Sequence, residues 1–200
     1  MAHIVLVRGS GDVASAVAHI LFTAGYTVVI HDSPQPAATR RKMAFTDAVF
    51  DGSAELEGVT AKLCEDIAAC MIPPASSKTI MLTVQDFESV LAALRPDVLV
   101  DARMRKHAQP ETQITLAPFT IGLGPNFTAG VTVHVAVETG WNENLGQVVR
   151  EGSTRPLEGE PQTIAGHARD RYVYAPAAGL FRTTFRIGDR VTAGQEVATL

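Results

Sequence analysis

An α/β fold built on a buried parallel sheet is predicted by three observations. The chain opens with a wholly apolar run, Ile4-Val5-Leu6-Val7, that leads directly into Arg8-Gly9-Ser10-Gly11-Asp12-Val13-Ala14. A helix-period pattern and a second β-branched run, Tyr26-Thr27-Val28-Val29-Ile30, follow within about 30 residues, the span of one βαβ unit. The same order of strand, helix and strand recurs between Thr79 and Asp101. Runs that are apolar throughout, rather than alternating, are what a strand covered on both faces requires.

Each element has its own signal. Val13, Val17, Ile20, Leu21 and Ala24 recur at helical spacing, and Gly25 falls where a C-terminal cap belongs. Ser33-Pro34-Gln35-Pro36 interrupts regular structure after the second strand. A short helix is predicted near Thr46 to Phe50, and a strand over Gly58 to Leu63. Thr79 to Val84 reads as a strand, and Asp86 as the N-cap of a helix carrying Phe87, Val90, Leu91 and Leu94. Val98-Leu99-Val100 and Phe119-Thr120-Ile121 are the next strands. Beyond Asn126 the character changes. Val131, Val133, Val135 and Val137 alternate with polar or small residues, the period of a half-buried strand, and glycine-rich, short-stranded sequence runs to the end. The predicted organisation is a Rossmann-like α/β domain over residues 1–127 and a small β domain over residues 128–200.

Composition excludes several function classes. A net charge of −4 and a longest basic stretch of Arg40-Arg41-Lys42 do not suit a nucleic-acid binder. No run approaches the roughly 20 apolar residues of a membrane span, and the apolar start ends too soon for a signal peptide, so a cytoplasmic protein is expected. Cys64 and Cys70 form neither a zinc quartet nor a disulfide framework and read as small buried hydrophobes. His134 and Glu138 stand about 13 Å apart along a strand, too far to share a metal, and the other histidines show no ligand spacing, so no metal site is expected.

The glycine turn is the first candidate site. Gly9 and Gly11 follow a buried strand and open a helix, Ala14 is a small residue at the third fingerprint position, and Asp32 ends the second strand about 20 residues on. Gly9 permits the tight turn, and Gly11 lets a phosphate approach the free amides of Gly11, Asp12, Val13 and Ala14, with Ser10 beside them. Asp32 would accept hydrogen bonds from a ribose diol. Asp12 places a carboxylate within this cradle, unfavourable for an anion unless it faces away or caps the helix.

Further segments carry a resemblance. They are Thr39 to Gly52, with Arg40-Arg41 and Ala48-Val49-Phe50-Asp51-Gly52; Val100-Asp101-Ala102-Arg103-Met104-Arg105-Lys106; and Ile121-Gly122-Leu123-Gly124-Pro125-Asn126-Phe127-Thr128-Ala129-Gly130. Glu138-Thr139, Leu145-Gly146 and Ala175-Pro176-Ala177-Ala178-Gly179 also correspond. Together they resemble the accessory proteins of selenium-dependent molybdenum hydroxylase systems. The N-terminal unit is similar to the Rossmann domain of xanthine dehydrogenase accessory factors. The resemblance implies a maturation role for a molybdenum hydroxylase, the hydroxylase or its maturation machinery as partner, and the molybdenum cofactor, a phosphate-bearing pterin, as ligand. Two departures stand out. The family's Gly-Pro-Gly-Phe is Gly124-Pro125-Asn126-Phe127 here, where Asn tolerates a left-handed backbone. An Arg-Gly-His group that relatives carry after Glu-Thr is absent between Thr139 and Leu145.

The candidate cofactor-binding set is therefore Gly9, Ser10, Gly11, Asp12, Val13, Ala14, Asp32, Arg40, Arg41, Asp101, Lys106, Gly122, Gly124, Pro125, Asn126 and Phe127. Arg40 and Arg41 are placed to reach the mouth of the turn, and Asp101 and Lys106 follow a strand's C-terminal end, where open α/β sheets bind ligands. The tail from Ala175 resembles half of a biotinyl/lipoyl-type hammerhead barrel without its modifiable lysine. It stops at Leu200 where relatives run longer, so truncation and an exposed edge that invites self-association are expected. The alternatives are an NAD(P)-dependent oxidoreductase, for which no hydride-transfer acid is recognisable, and a non-catalytic docking module for the hydroxylase.

Overall fold

The apolar runs assemble, in a computed structural model of the chain, into a mixed α/β fold around a nine-stranded sheet. The structure describes residues 3–38, 40–68, 77–105, 108–157, 159, 161, 163–179, 181–185 and 188–200. In order, the elements are β1 (Ile4–Arg8), α1 (Asp12–Thr23), β2 (Thr27–His31), α2 (Asp47–Asp51), β3 (Ser53–Leu56), β4 (Val59–Leu63), β5 (Thr79–Thr83), α3 (Phe87–Leu94), β6 (Val98–Asp101), β7 (Phe119–Leu123), β8 (Thr128–Ala129), β9 (Val135–Val137), β10 (Val148–Val149) and β11 (Gly152–Ser153).

The strand order is β10-β9-β7-β6-β1-β2-β5-β4-β3. All pairings from β9 across to β4 are parallel, and the two edges, β10 and β3, are antiparallel. Strand β1 sits at the switch point. The chain leaves it toward β2 on one side and returns to it through β6 on the other, leaving a crevice at the C-terminal ends of β1 and β6.

Side chains alternate between two covered faces. Val5, Val7, Val28, Ile30, Ile80, Leu82 and Val100 pack with Ala14, Ala18 and Phe22 of α1 and with Phe45 and Ala48. The alanines let α1 lie close to the sheet. Leu6, Val29, Met81 and Leu99 point the other way, onto Val90 and Leu94 of α3. Helix α1 ends in a Schellman pattern, with Tyr26 N donating to Leu21 O and Gly25 N to Phe22 O. Asp86 caps α3 by accepting from Ser89 N at 3.0 Å.

Several expectations need adjustment. The edge strand β3 was not foreseen. The alternating run from Val131 forms only the three-residue β9, because Thr132 N and Val133 N fold back onto Thr128 O; Val131 is 58% exposed, whereas Val133 and Ala136 are buried. Strand β9 joins the main sheet beside β7, and the two compact units are Met1–Leu157 and Glu158–Leu200. Cys64 is buried as expected but is also disulfide-bonded, and Cys70 lies outside the described residues. In the second unit the described regular structure consists of a 3-10 turn at Arg169–Arg171 and the antiparallel bridges Ile164–His167 and Arg182–Thr199. Among the described residues no helix is long and apolar enough to cross a membrane.

Candidate functional site

Three of the segments singled out in the sequence meet at the C-terminal edge of the sheet. Gly122, Asp101, Arg8, His31 and Thr83 are successive register partners on β7, β6, β1, β2 and β5. In this one row the sheet changes from apolar to polar. The turn after β1, the loop after β6 and the loop after β7 all leave from it.

The two glycines of the first turn do different work. Gly9 has φ +104°, and a Cβ there would stand 3.0 Å from the Arg103 backbone, so it lets the turn pack against the loop after β6. Gly11 is the N-cap of α1 in an extended conformation, φ −65° and ψ −177°, without a side-chain cap. A Cβ on Gly11 would meet nothing within 4 Å. Open space therefore lies beside Gly11 at the N-terminus of α1, where an anion is favoured.

The neighbouring polar groups are largely committed to one another. Ser10, fully buried, donates its backbone N–H and its hydroxyl to Asp32 Oδ2 at 2.7 and 2.6 Å. Asp32 Oδ1 accepts from Ser33 N at 2.7 Å. Thr46 Oγ1 and Ser15 Oγ both donate to Ser10 O. Asp32 is thus the lock of the turn. Among the described residues its Oδ1 accepts only from Ser33 N, so the carboxylate keeps acceptor capacity beyond these three bonds. Asp12 pairs with Arg40, so its charge is compensated at the mouth of the cradle. Arg41 turns away instead, to Asp47 and Asp51.

Gly122 and Phe127 are complementary. A Cβ at Gly122 would lie 2.3 Å from Phe127 Cδ1, so the ring occupies the place of the missing side chain, and Phe127 is 5% exposed. Asn126 takes φ +67°, the left-handed conformation anticipated for it, and Gly124 takes φ +120°. Phe127 N donates to Thr154 Oγ1 at 2.9 Å, which fixes the loop from below. Asp101, Met104, Arg105, Pro110, Leu123, Pro125 and Phe127 line a shallow recess between the loops after β6 and β7.

Asp101 is only 2% exposed and is held by Arg103 Nε at 2.9 Å and Gln113 Nε2 at 2.7 Å. Burial alone would raise its pKa, but Arg103 and Gln113 outweigh it, so it lies below the ordinary carboxylate value. Lys106, its expected neighbour, lies outside the described residues. Sequence reasoning did not assign Arg8, His31, Arg103, Arg105, Glu111 or Gln113. A charge closing an apolar strand was a usable signal for Arg8; nothing in the local pattern marked Glu111 or Gln113. Burial, and then Arg8, lower the pKa of His31 despite its contact with Gln85 O at 2.9 Å.

No protein-family model matches the chain. No solved structure matches it. It is similar to an uncharacterized protein, YqeB, of Escherichia coli strain K12, with 40% identity over 195 residues that make up 98% of this chain. Those residues cover 36% of that protein, so the chain spans little more than a third of the curated relative's length.

Proposed function

We propose that this chain is a cytoplasmic accessory protein for the maturation of a molybdenum hydroxylase, holding a phosphate-bearing cofactor of the molybdopterin type at the turn from Gly9 to Ala14. The observation that carries the reading is the open space before Gly11, beside an uncapped helix N-terminus. Phosphate would sit on the amides of Gly11 to Ala14, and the loop Gly122 to Phe127 would border the rest of the ligand. When bound, the pterin supplies the metal-carrying group as cargo. This chain's residues bind and orient it through the phosphate.

The parallel order of β6, β1, β2 and β5 supports a Rossmann-type reading of the N-terminal half. The half-barrel reading of the tail rests on its resemblance alone. Against the NAD(P) oxidoreductase reading stands the lack of a His or Tyr–Lys pair recognisable in the sequence as a hydride-transfer acid. A docking role has one observation in its favour: Trp141, Leu145 and Val148 are 79%, 55% and 51% exposed beside the edge strand β10.

Calorimetric titration with molybdopterin species, NAD(H), NADP(H) and nucleotides tests the proposal. Molybdopterin binding that is lost in Gly11→Val is the expected result. Backbone at Gly11 is open to any L-residue, so the substitution fills the cradle without straining the turn. NAD(H) binding with turnover would overturn the reading.

A further inference from the structure

Three arginines converge on one surface carboxylate. Arg8 Nη1 donates to Glu111 Oε1 at 2.8 Å, Arg103 Nη2 donates to the same oxygen at 2.5 Å, and Arg105 Nη2 pairs with Oε2. Glu111 is held without support from regular structure, on the irregular segment between β6 and β7. Its side chain is 42% exposed, whereas those of Arg8 and Arg103 are 9% and 18% exposed. Arg8 is fixed on β1 and Arg103 is largely buried, whereas Arg105, 36% exposed, and Glu111 both stand on the irregular segment after β6. The meeting point is the switch-point crevice, and the recess between the loops adjoins it through Asp101, Arg105 and Pro110.

We infer that Glu111 is an internal stand-in for a dianionic ligand, and that Arg8, Arg103 and Arg105 form a phosphate-monoester site from which that ligand displaces it. Charge favours a dianion. With Glu111 withdrawn, only Asp101 opposes the three guanidinium groups, so two positive charges stand uncompensated. A phosphate monoester matches them, and its geometry suits forked guanidinium donors. A second observation points to an absent acceptor. Arg8 Nε is buried without a hydrogen-bond partner, on a side chain stacked 3.7 Å over the Phe87 ring. A buried donor left unpaired is costly, and a ligand oxygen would satisfy it. The apolar members of the recess, Met104, Leu123 and Phe127, offer the ester's organic part a surface. This site uses side chains rather than the helix amides of the Gly11 cradle, although Arg8 directly precedes Gly9 and Gly9 packs against Arg103.

The test uses the whole chain carrying Gly11→Val, so that only the arginine site is read. Inorganic phosphate and phenyl phosphate are titrated by calorimetry at pH 7.5. Replacing the competitor, Glu111→Gln, should tighten both by about tenfold or more, since one negative charge no longer competes for the guanidinium groups. Adding Arg105→Gln should abolish the gain. Phenyl phosphate should bind more tightly than phosphate if the recess takes the ring. Equal, millimolar or absent binding in the parent and in a folded Glu111→Gln variant would show the cluster to be a clamp for the loop and overturn the inference. Should Glu111→Gln fail to fold, Arg105→Gln in the Gly11→Val chain decides alone: unchanged phosphate binding sinks the proposal, and lost binding sustains it.

Discussion

Ser10 gives both of its donors, backbone N–H and hydroxyl, to a single oxygen of Asp32, tying the turn after β1 to the end of β2. Because Ser10 is fully buried, removing the acceptor strands its backbone N–H away from water and leaves the hydroxyl only Thr46 Oγ1, at 3.1 Å. Asp32→Ala should therefore lower the unfolding free energy by about 1–3 kcal/mol. Urea denaturation measures it. An unchanged midpoint would deny that Asp32 anchors the turn.

The two glycines of that turn should respond to alanine to different degrees. Gly9→Ala meets both a positive φ and the Arg103 backbone at 3.0 Å, and should cost about 1–3 kcal/mol. Gly11→Ala has open space and an ordinary backbone, so its cost should stay within about 1 kcal/mol, the N-cap preference of glycine over alanine. Thermal melts of the two variants side by side settle the comparison.

Gly122 and Phe127 should be energetically coupled. Gly122→Ala forces a Cβ into the ring and should destabilise by about 1–3 kcal/mol, as overpacking does. In a Phe127→Ala background the clash has no partner, so the added methyl should cost little. A double-mutant cycle measures this, and additive effects would deny that the ring occupies the glycine's place.

Acid should destabilise the chain in two stages. His31 has its pKa lowered by burial and then by Arg8, so the unfolded chain binds the proton more readily. Stability contributed by neutral His31 is full above about pH 6.5 and declines as pH falls below it. At Asp101 and Glu111 burial works to raise the pKa, yet their arginine partners, with Gln113 at Asp101, bring both below the ordinary value. Their contribution is present above about pH 4 and is lost as pH falls through their folded values. Urea midpoints between pH 7.5 and 5 should drop in the parent and flatten in His31→Gln. Identical slopes would remove His31 from the account.

The sequence conveyed whatever depends on local pattern. Ile4 to Val7 could only be a doubly covered strand, Gly25 and Asp86 marked helix ends, and Asn126 announced its left-handed turn. It did not convey pairings set by distant partners. Asp32 was legible as the acid that follows β2, but its bonds to Ser10 were not, because the fingerprint says nothing of a serine at position 10. Glu111 and Gln113 carry no local signal at all; Arg8 selects them from more than a hundred residues away, at 2.8 and 2.7 Å. The period-2 run from Val131 was misleading because Thr128 captures the amides of Thr132 and Val133 before a strand can form.

The position of β1 between β2 and β6 also sets when the protein becomes competent during its own synthesis. One flank of β1 is complete once β2 emerges, but the other stays an open parallel edge until β6 is made. At roughly 5–20 residues per second, that interval lasts several seconds on the ribosome. Throughout it Arg8 has no Gln113 or Glu111, and Gly9 no loop to pack against. Competence should therefore arrive abruptly with the last central strands, and a nascent chain stalled before β6 should expose an unpaired strand edge that invites chaperone capture.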